Sequence, residues 1–150
     1  MDEVLIVNSY LPCRGNHTLQ EFQQEIDQLK EICQKYADLQ IILAGDFNVD
    51  VEKHPIQRVT YFKSLLNDHN LRELQPISEP TLTHHNWTST SKIDYILLSD
   101  KLLNSSSPDN LYKLLDHPSN TSTHIPLLIK IKIKASKQDA PGNKAIPPKR

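Results

Sequence analysis

The chain has 150 residues, 37% hydrophobic and 23% charged, with a formal net charge of -1, which suits one ordinary domain with a sizeable core. No apolar run approaches the roughly 18 residues of a membrane span. The two cysteines, Cys13 and Cys33, form neither a metal-ligand spacing nor a disulfide framework, and the near-neutral balance leaves a nucleic-acid partner undecided.

Met1-Asp2-Glu3 is acidic where a signal peptide needs basic residues, so the expectation is an intracellular protein with two free thiols. Val4-Leu5-Ile6-Val7 reads as a buried strand that Pro12 must end. Thr18 and Glu21 form a capping box, and Leu19, Phe22, Ile26, Leu29, Cys33 and Tyr36 recur three or four apart as one apolar helical stripe. Gln40–Ala44 is a second strand. Ile56–His69 is a second amphipathic helix, with Val59, Phe62, Leu65 and Leu66 inward, and Leu71–Leu74 is a short strand. Pro76–Ser91 is rich in Ser, Thr, His, Asn and Pro and reads as a loop. Lys92–Ser99 is a third strand, with Ile93, Tyr95 and Leu97 on one face and Asp94, Ile96 and Leu98 on the other. Asp100–Ser119 is polar and interrupted by prolines. Ile125–Ile133 ends in alternating Ile and Lys, which suits an edge strand. Residues 134–150 carry five basic groups and one acid among Pro, Gly, Ala and Asn, the composition of a disordered tail. The order of elements is that of a layered α/β fold.

Two polar features interrupt this pattern. The run Ile41–Ala44 ends at Gly45, and Asp46 and Asn48 follow two apart, so both would point the same way past the carboxyl end of a strand. Turn formation alone also accounts for such residues. Asp94 lies inside an otherwise apolar strand, where a carboxylate is costly to bury without a partner. His124, just before the last apolar segment, is a candidate partner, because a carboxylate fixes an imidazole's tautomer and holds it for proton chemistry. Local backbone capping by Asp94 and a turn role for His124 remain the alternative. His84 and His85 are adjacent and would point apart in an extended chain. They, His54, His69 and His117 are expected to be solvated. Trp87 could stack on a base or fold back onto the core.

The series VNSYLP (7–12), IILAGDFNVD (41–50), SKIDYILLS (91–99) and STHIPL (122–127) resembles the C-terminal half of the endonuclease/exonuclease/phosphatase superfamily. This is the fold of exonuclease III-type abasic-site endonucleases. The wording of the motifs is most similar to the endonuclease domains of non-LTR retrotransposons. The resemblance covers residues 3–133, so residues 1–133 are expected to be a partial domain of this kind. It implies half of a four-layered, DNase I-like α/β sandwich that hydrolyses phosphodiesters of DNA with Mg²⁺ or Mn²⁺. By the same resemblance Tyr10 contacts the scissile phosphate and Asp46 orients or deprotonates the attacking water, with a weak claim to a metal. Asn48 holds Asp46 and the phosphate, and Asp94 and His124 form the carboxylate–imidazole pair at the phosphate. A nuclear role follows from the resemblance alone.

Two departures bear on activity. Thr123 stands where the family has an aspartate before the final histidine, and a threonine brings no negative charge. The family's first half, with its main glutamate metal ligand, has no counterpart in the chain. Its absence is expected to leave the inner sheet face uncovered and open to self-association. Two functions follow: a metal-dependent endonuclease, or a non-catalytic remnant that binds nucleic acid. The missing ligand favours the second for these 150 residues. A phosphatase of the same superfamily acting on a small phosphoester is a third.

Overall fold

The computed structural model describes residues 3–15, 17–74, 82–86, 88–106 and 111–133. The expectations placed on Trp87, on residues 134–150 and on the stretch 75–81 lie outside the described residues. No described helix is long and apolar enough to cross a membrane.

The chain opens with strand β1 (Val4–Tyr10), helix α1 (Leu19–Lys35) and strand β2 (Gln40–Asp46). β1 and β2 run parallel in unbroken register from Val4↔Gln40 to Tyr10↔Asp46. β1 is therefore three residues longer than its apolar core Val4–Val7, because Asn8, Ser9 and Tyr10 find ladder partners in Ala44, Gly45 and Asp46. The capping box of α1 is formed: the Glu21 N–H donates to Thr18 Oγ1 at 3.1 Å and the Thr18 N–H donates to Glu21 Oε2 at 2.6 Å. Phe22, Ile26, Leu29 and Cys33 make its buried face.

Helix α2 (Ile56–Asp68) buries Val59, Phe62 and Leu65 as its spacing requires, and it also buries Arg58. The Arg58 guanidinium lies 4.5 Å from the Phe22 ring centroid, and its Nη1 donates to the Pro12 carbonyl at 2.6 Å. That cation is tolerated because its stem packs and its head is paired. Strand β3 (Leu71–Glu73) follows. The stretch expected to be a loop contains a small hairpin, β4 (His84–His85) and β5 (Thr90–Ser91). It closes on Asn86, whose Oδ1 accepts from the N–H groups of Thr88 and Ser89. Strand β6 is Asp94–Ser99, helix α3 is Asp100–Ser105, β7 is Leu111–Leu114 and β8 is Leu127–Lys130. The last strand is shorter than the periodicity of Ile125–Ile133 suggests. Its partner β7 spans only the four positions from Leu111↔Lys130 to Leu114↔Leu127.

The main sheet has the order β1-β2-β6-β3, parallel between β1 and β2 and antiparallel elsewhere. Alternation along its strands separates two cores. Leu5, Val7, Ile41, Leu43, Tyr95 and Leu97 face the helices, around an aromatic cluster of Phe47, Phe62 and Tyr95 with centroids 5.0–5.8 Å apart. Ile96 and Leu98 face the other way, into a smaller cluster with Leu102, Leu127, Ile129 and Ile131. The inner sheet face, expected from the sequence to be bare, is covered on its β6 side. The β7–β8 pair folds back over its β6 side and leaves the β1 side open, where Ile6 is 70% exposed.

Candidate active site at the ends of β2 and β6

The register of the sheet sets three polar residues in one lateral row. Tyr10 ends β1, Asp46 ends β2 and Asp94 begins β6, and Asp46 is the direct cross-strand partner of both others. In-register neighbours share a face, so three positions far apart in sequence present side chains together. Tyr10 is 71% exposed at this rim.

Asn48 reaches Asp46 by a different route from the expected strand alternation. β2 stops at Asp46, and Asn48 takes a left-handed conformation with φ of 49°, which asparagine tolerates better than most residues. This turn folds Asn48 back. Its N–H donates to Asp46 Oδ1 at 2.9 Å, and its Nδ2 donates to Asp46 Oδ2 at 3.2 Å and to the Leu11 carbonyl at 2.9 Å. Both oxygens of Asp46 are oriented by one residue. Phe47, between them, points the other way into the aromatic core and anchors the turn.

His124 meets Asp94 as a pair: its Nδ1 lies 3.0 Å from Oδ2 and 3.1 Å from Oδ1. The strand Asp is therefore partnered across the fold, by a residue thirty positions away. The segment carrying His124 is braced by the β4–β5 hairpin. The His85 N–H donates to the Thr123 carbonyl and the Ile125 N–H to the Thr83 carbonyl, both at 2.8 Å. Thr123 enters the site through this backbone carbonyl and adds no carboxylate.

The hairpin also corrects the expectation for His84. Its ring packs edge-on against His124, with centroids 4.9 Å apart, and its Nδ1 is 3.3 Å from Ser91 Oγ. Burial lowers its pKa, and His124 lowers it further. His85, on the opposite side of the strand, is exposed as expected. His54 is half-buried rather than solvated, with its Nδ1 accepting from the Asp50 N–H at 3.0 Å. Burial pushes its pKa down, and nearby Arg14 adds to this. Asp50 itself is 3% exposed and accepts from the N–H groups of Glu52 and Lys92 at 3.0 and 3.1 Å, tying the turn after β2 to the start of β6. Sequence reasoning missed His84, Thr83 and Asp50. The only cue for Asp50 was its place at the end of Gly-Asp-Phe-Asn-Val-Asp.

Asp46 and His124 both line two hollows. One, of about 330 Å³, lies between the strand ends and residues 122–127. The other, of about 410 Å³, is bordered by Tyr10, Arg14, Asn48, Lys53 and His84. Among the described residues Asp46, Asp94 and His124 form the one cluster able to hold a metal ion, with a ligand atom from each within 4.8 Å of the others. Two carboxylates and an imidazole suit a divalent cation such as Mn²⁺ or Mg²⁺.

Burial raises the Asp46 pKa above its ordinary 3.8. The Asn48 N–H opposes that rise, and the like charge of Asp94 adds to it. A carboxyl whose folded pKa is raised adds stability at pH values below its unfolded pKa and loses that contribution as pH rises through the raised value. The stability that Asp46 contributes is therefore full below its unfolded pKa and lost by neutral pH. A carbon-13 titration is expected to place its midpoint above 3.8, and Asp94→Asn to bring it down. A midpoint at or below 3.8 in the unaltered chain overturns this account.

Comparison with known proteins bears on the arrangement. A family model described as endonuclease-reverse transcriptase matches residues 4–127. No curated protein matches the chain. Several solved structures share its fold. A 3'-5' exonuclease from Neisseria meningitidis superposes with a TM-score of 0.67 at 16% identity, over 85% of this chain and 60% of that one. A 3' phosphatase from Neisseria, bound to a product DNA hairpin, gives 0.65 at 18% identity, over 85% and 60%. The endonuclease domain of TRAS1, a telomere-specific non-LTR retrotransposon, gives 0.56 at 15% identity, over 80% and 54%. The chain thus spans about 60% of the length of the Neisseria structures, and at these identities the likeness is one of fold.

Proposed function

This chain belongs to the endonuclease-reverse transcriptase family, within the endonuclease/exonuclease/phosphatase superfamily of DNase I-like fold, and from that premise we propose that its cleft binds and hydrolyses a phosphodiester of DNA. The observation that carries the proposal is the Asp94–His124 pair, facing an Asp46 whose two oxygens are both held by Asn48.

Hydrolysis at phosphorus needs an oriented water and a counter to the charge that builds on the phosphoryl oxygens. Asp46 accepts the proton of the attacking water. Asn48 holds both Asp46 oxygens and so orients the carboxylate for that transfer. As the water oxygen bonds to phosphorus, the bond to the leaving oxygen breaks, and that oxygen takes up a proton from solvent to leave as the hydroxyl. With its Nδ1–H donating to Asp94, the His124 ring has Nε2 left to serve the phosphate. In its protonated form that nitrogen donates to a phosphoryl oxygen while Asp94 balances its charge. Tyr10, exposed at the rim, contacts the phosphate. Asp46 and Asp94 would hold a divalent cation through their carboxylates, while His124 keeps its two nitrogens for Asp94 and the phosphate. When bound, such a cation polarises a phosphoryl oxygen as a Lewis acid. DNA as the partner is supported by the Neisseria 3' phosphatase structure with its DNA hairpin. The family description and the TRAS1 domain support a retroelement-type endonuclease in particular.

A second reading, DNA binding without cleavage, is favoured by Thr123, which stands beside His124 and leaves the described cluster with two carboxylates. A supercoiled-plasmid nicking assay with Mg²⁺ or Mn²⁺ decides between them, run beside binding to the same DNA. Metal-dependent nicking lost in Asp46→Ala supports hydrolysis. Binding with no nicking above that variant supports the second reading. A panel adding RNA and inositol phosphates tests the small-phosphoester alternative.

A further inference from the structure

The geometry points to Thr83 as a positioning residue that sets the Asp94–His124 pair, an inference that rests on the proposed role of that pair. Thr83 is fully buried, and its N–H, its carbonyl and its hydroxyl oxygen all have partners. Its hydroxyl oxygen accepts from two successive backbone N–H groups, those of Ile93 at 3.1 Å and Asp94 at 3.0 Å. Its N–H donates to the Ser91 carbonyl at 3.0 Å, and its carbonyl accepts from Ile125 at 2.8 Å. One residue thus joins the backbone of Asp94 to the backbone following His124.

The need for such a joint comes from the ladder. Among the described residues β3 pairs with β6 only at Leu97, Leu98 and Ser99, and none of them places a strand on the β3 side of Asp94. A buried N–H without an acceptor is costly, and the Thr83 hydroxyl supplies the acceptor where the sheet stops. A valine is nearly the same shape but offers no oxygen. It would release the N–H of Ile93 and that of Asp94, the residue whose carboxylate must meet His124 Nδ1. Serine keeps the oxygen.

The experiment compares the full chain with Thr83→Val and Thr83→Ser. An imidazole nitrogen–proton correlation spectrum reports the His124 tautomer, and cleavage kinetics on an oligonucleotide with Mn²⁺ report function. His124 in the unaltered chain and in Thr83→Ser is expected to show one fixed Nδ1-protonated tautomer. In Thr83→Val that signature is lost, and kcat falls by about 10–100-fold, the range for a group that orients another, with KM little changed. A folded Thr83→Val with the unaltered His124 signature overturns the inference. If Thr83→Val does not fold, amide exchange in the unaltered chain decides: Ile93 and Asp94 must be protected, and free exchange at both overturns it. An unaltered chain with the fixed tautomer but no cleavage above Asp94→Asn overturns the hydrolytic reading instead, and the spectra still decide the role of Thr83.

Discussion

Replacing His124 by alanine is expected to lower kcat for DNA phosphodiester cleavage by about 10²–10⁴-fold, the range for loss of a positioned acid–base group. Asp94→Asn should fall in the same direction by a smaller factor. An asparagine oxygen can still accept from Nδ1 and hold the ring, but it brings no charge to balance the imidazolium. The two groups act as a unit, because Nδ1 contacts both Asp94 oxygens within 3.1 Å. The double variant should therefore be about as slow as His124→Ala alone, rather than slower by the product of the two effects. KM should move less than kcat in all three, since DNA binding draws on many phosphate contacts outside the pair. Single-turnover kinetics on a defined oligonucleotide measure this. Multiplicative losses would mean that the two residues contribute to catalysis independently and do not act as a pair.

The second large effect concerns Gly45. Its φ is +142°, a region in which side-chain-bearing residues are rarely found, and a Cβ built there would lie 1.8 Å from the Ser9 carbonyl oxygen. That atom is backbone, held on the neighbouring strand by a seven-residue ladder, so it cannot move aside without breaking the sheet. Gly45→Ala combines backbone strain of roughly 1–3 kcal/mol with overpacking of roughly 1–3 kcal/mol. The expected loss is about 3 kcal/mol or more, which for a domain of this size lowers Tm by roughly 10 °C. Thermal unfolding followed by circular dichroism measures it, and a loss under about 1 kcal/mol, the ordinary effect of a single substitution, would show that the close approach is not real. The same variant should disturb the site, because Ser9 and Gly45 immediately precede Tyr10 and Asp46 in the paired strands.

Much of the fold was legible before the structure. The helix over Leu19–Lys35 follows from its capping box and stripe, which are local signals. The division of β6 into Tyr95 and Leu97 against Ile96 and Leu98 follows from strand alternation. Where the sequence fell short, the structure-forming interaction was not local. The β4–β5 hairpin is two residues a side, too short for any periodicity to register. His84 is half-buried because His124, forty residues later, packs against it, and Arg58 is buried because carbonyls at Pro12 and Cys13 receive it.

The site divides along the same line. Residue identity and order by themselves determined which groups could carry chemistry: a carboxylate at a strand end, a carboxylate inside an apolar strand and a histidine before the last one. They also determined the family resemblance. Tertiary structure alone decided how those groups meet. Register across β1, β2 and β6 puts Tyr10, Asp46 and Asp94 in one row. A left-handed Asn48 turns both Asp46 oxygens to itself, and Thr83 joins the two halves of the Asp94–His124 pair. Each of these depends on hydrogen bonds between distant backbone segments. Their partners are fixed only when the strands have paired, and no local pattern of residues encodes them.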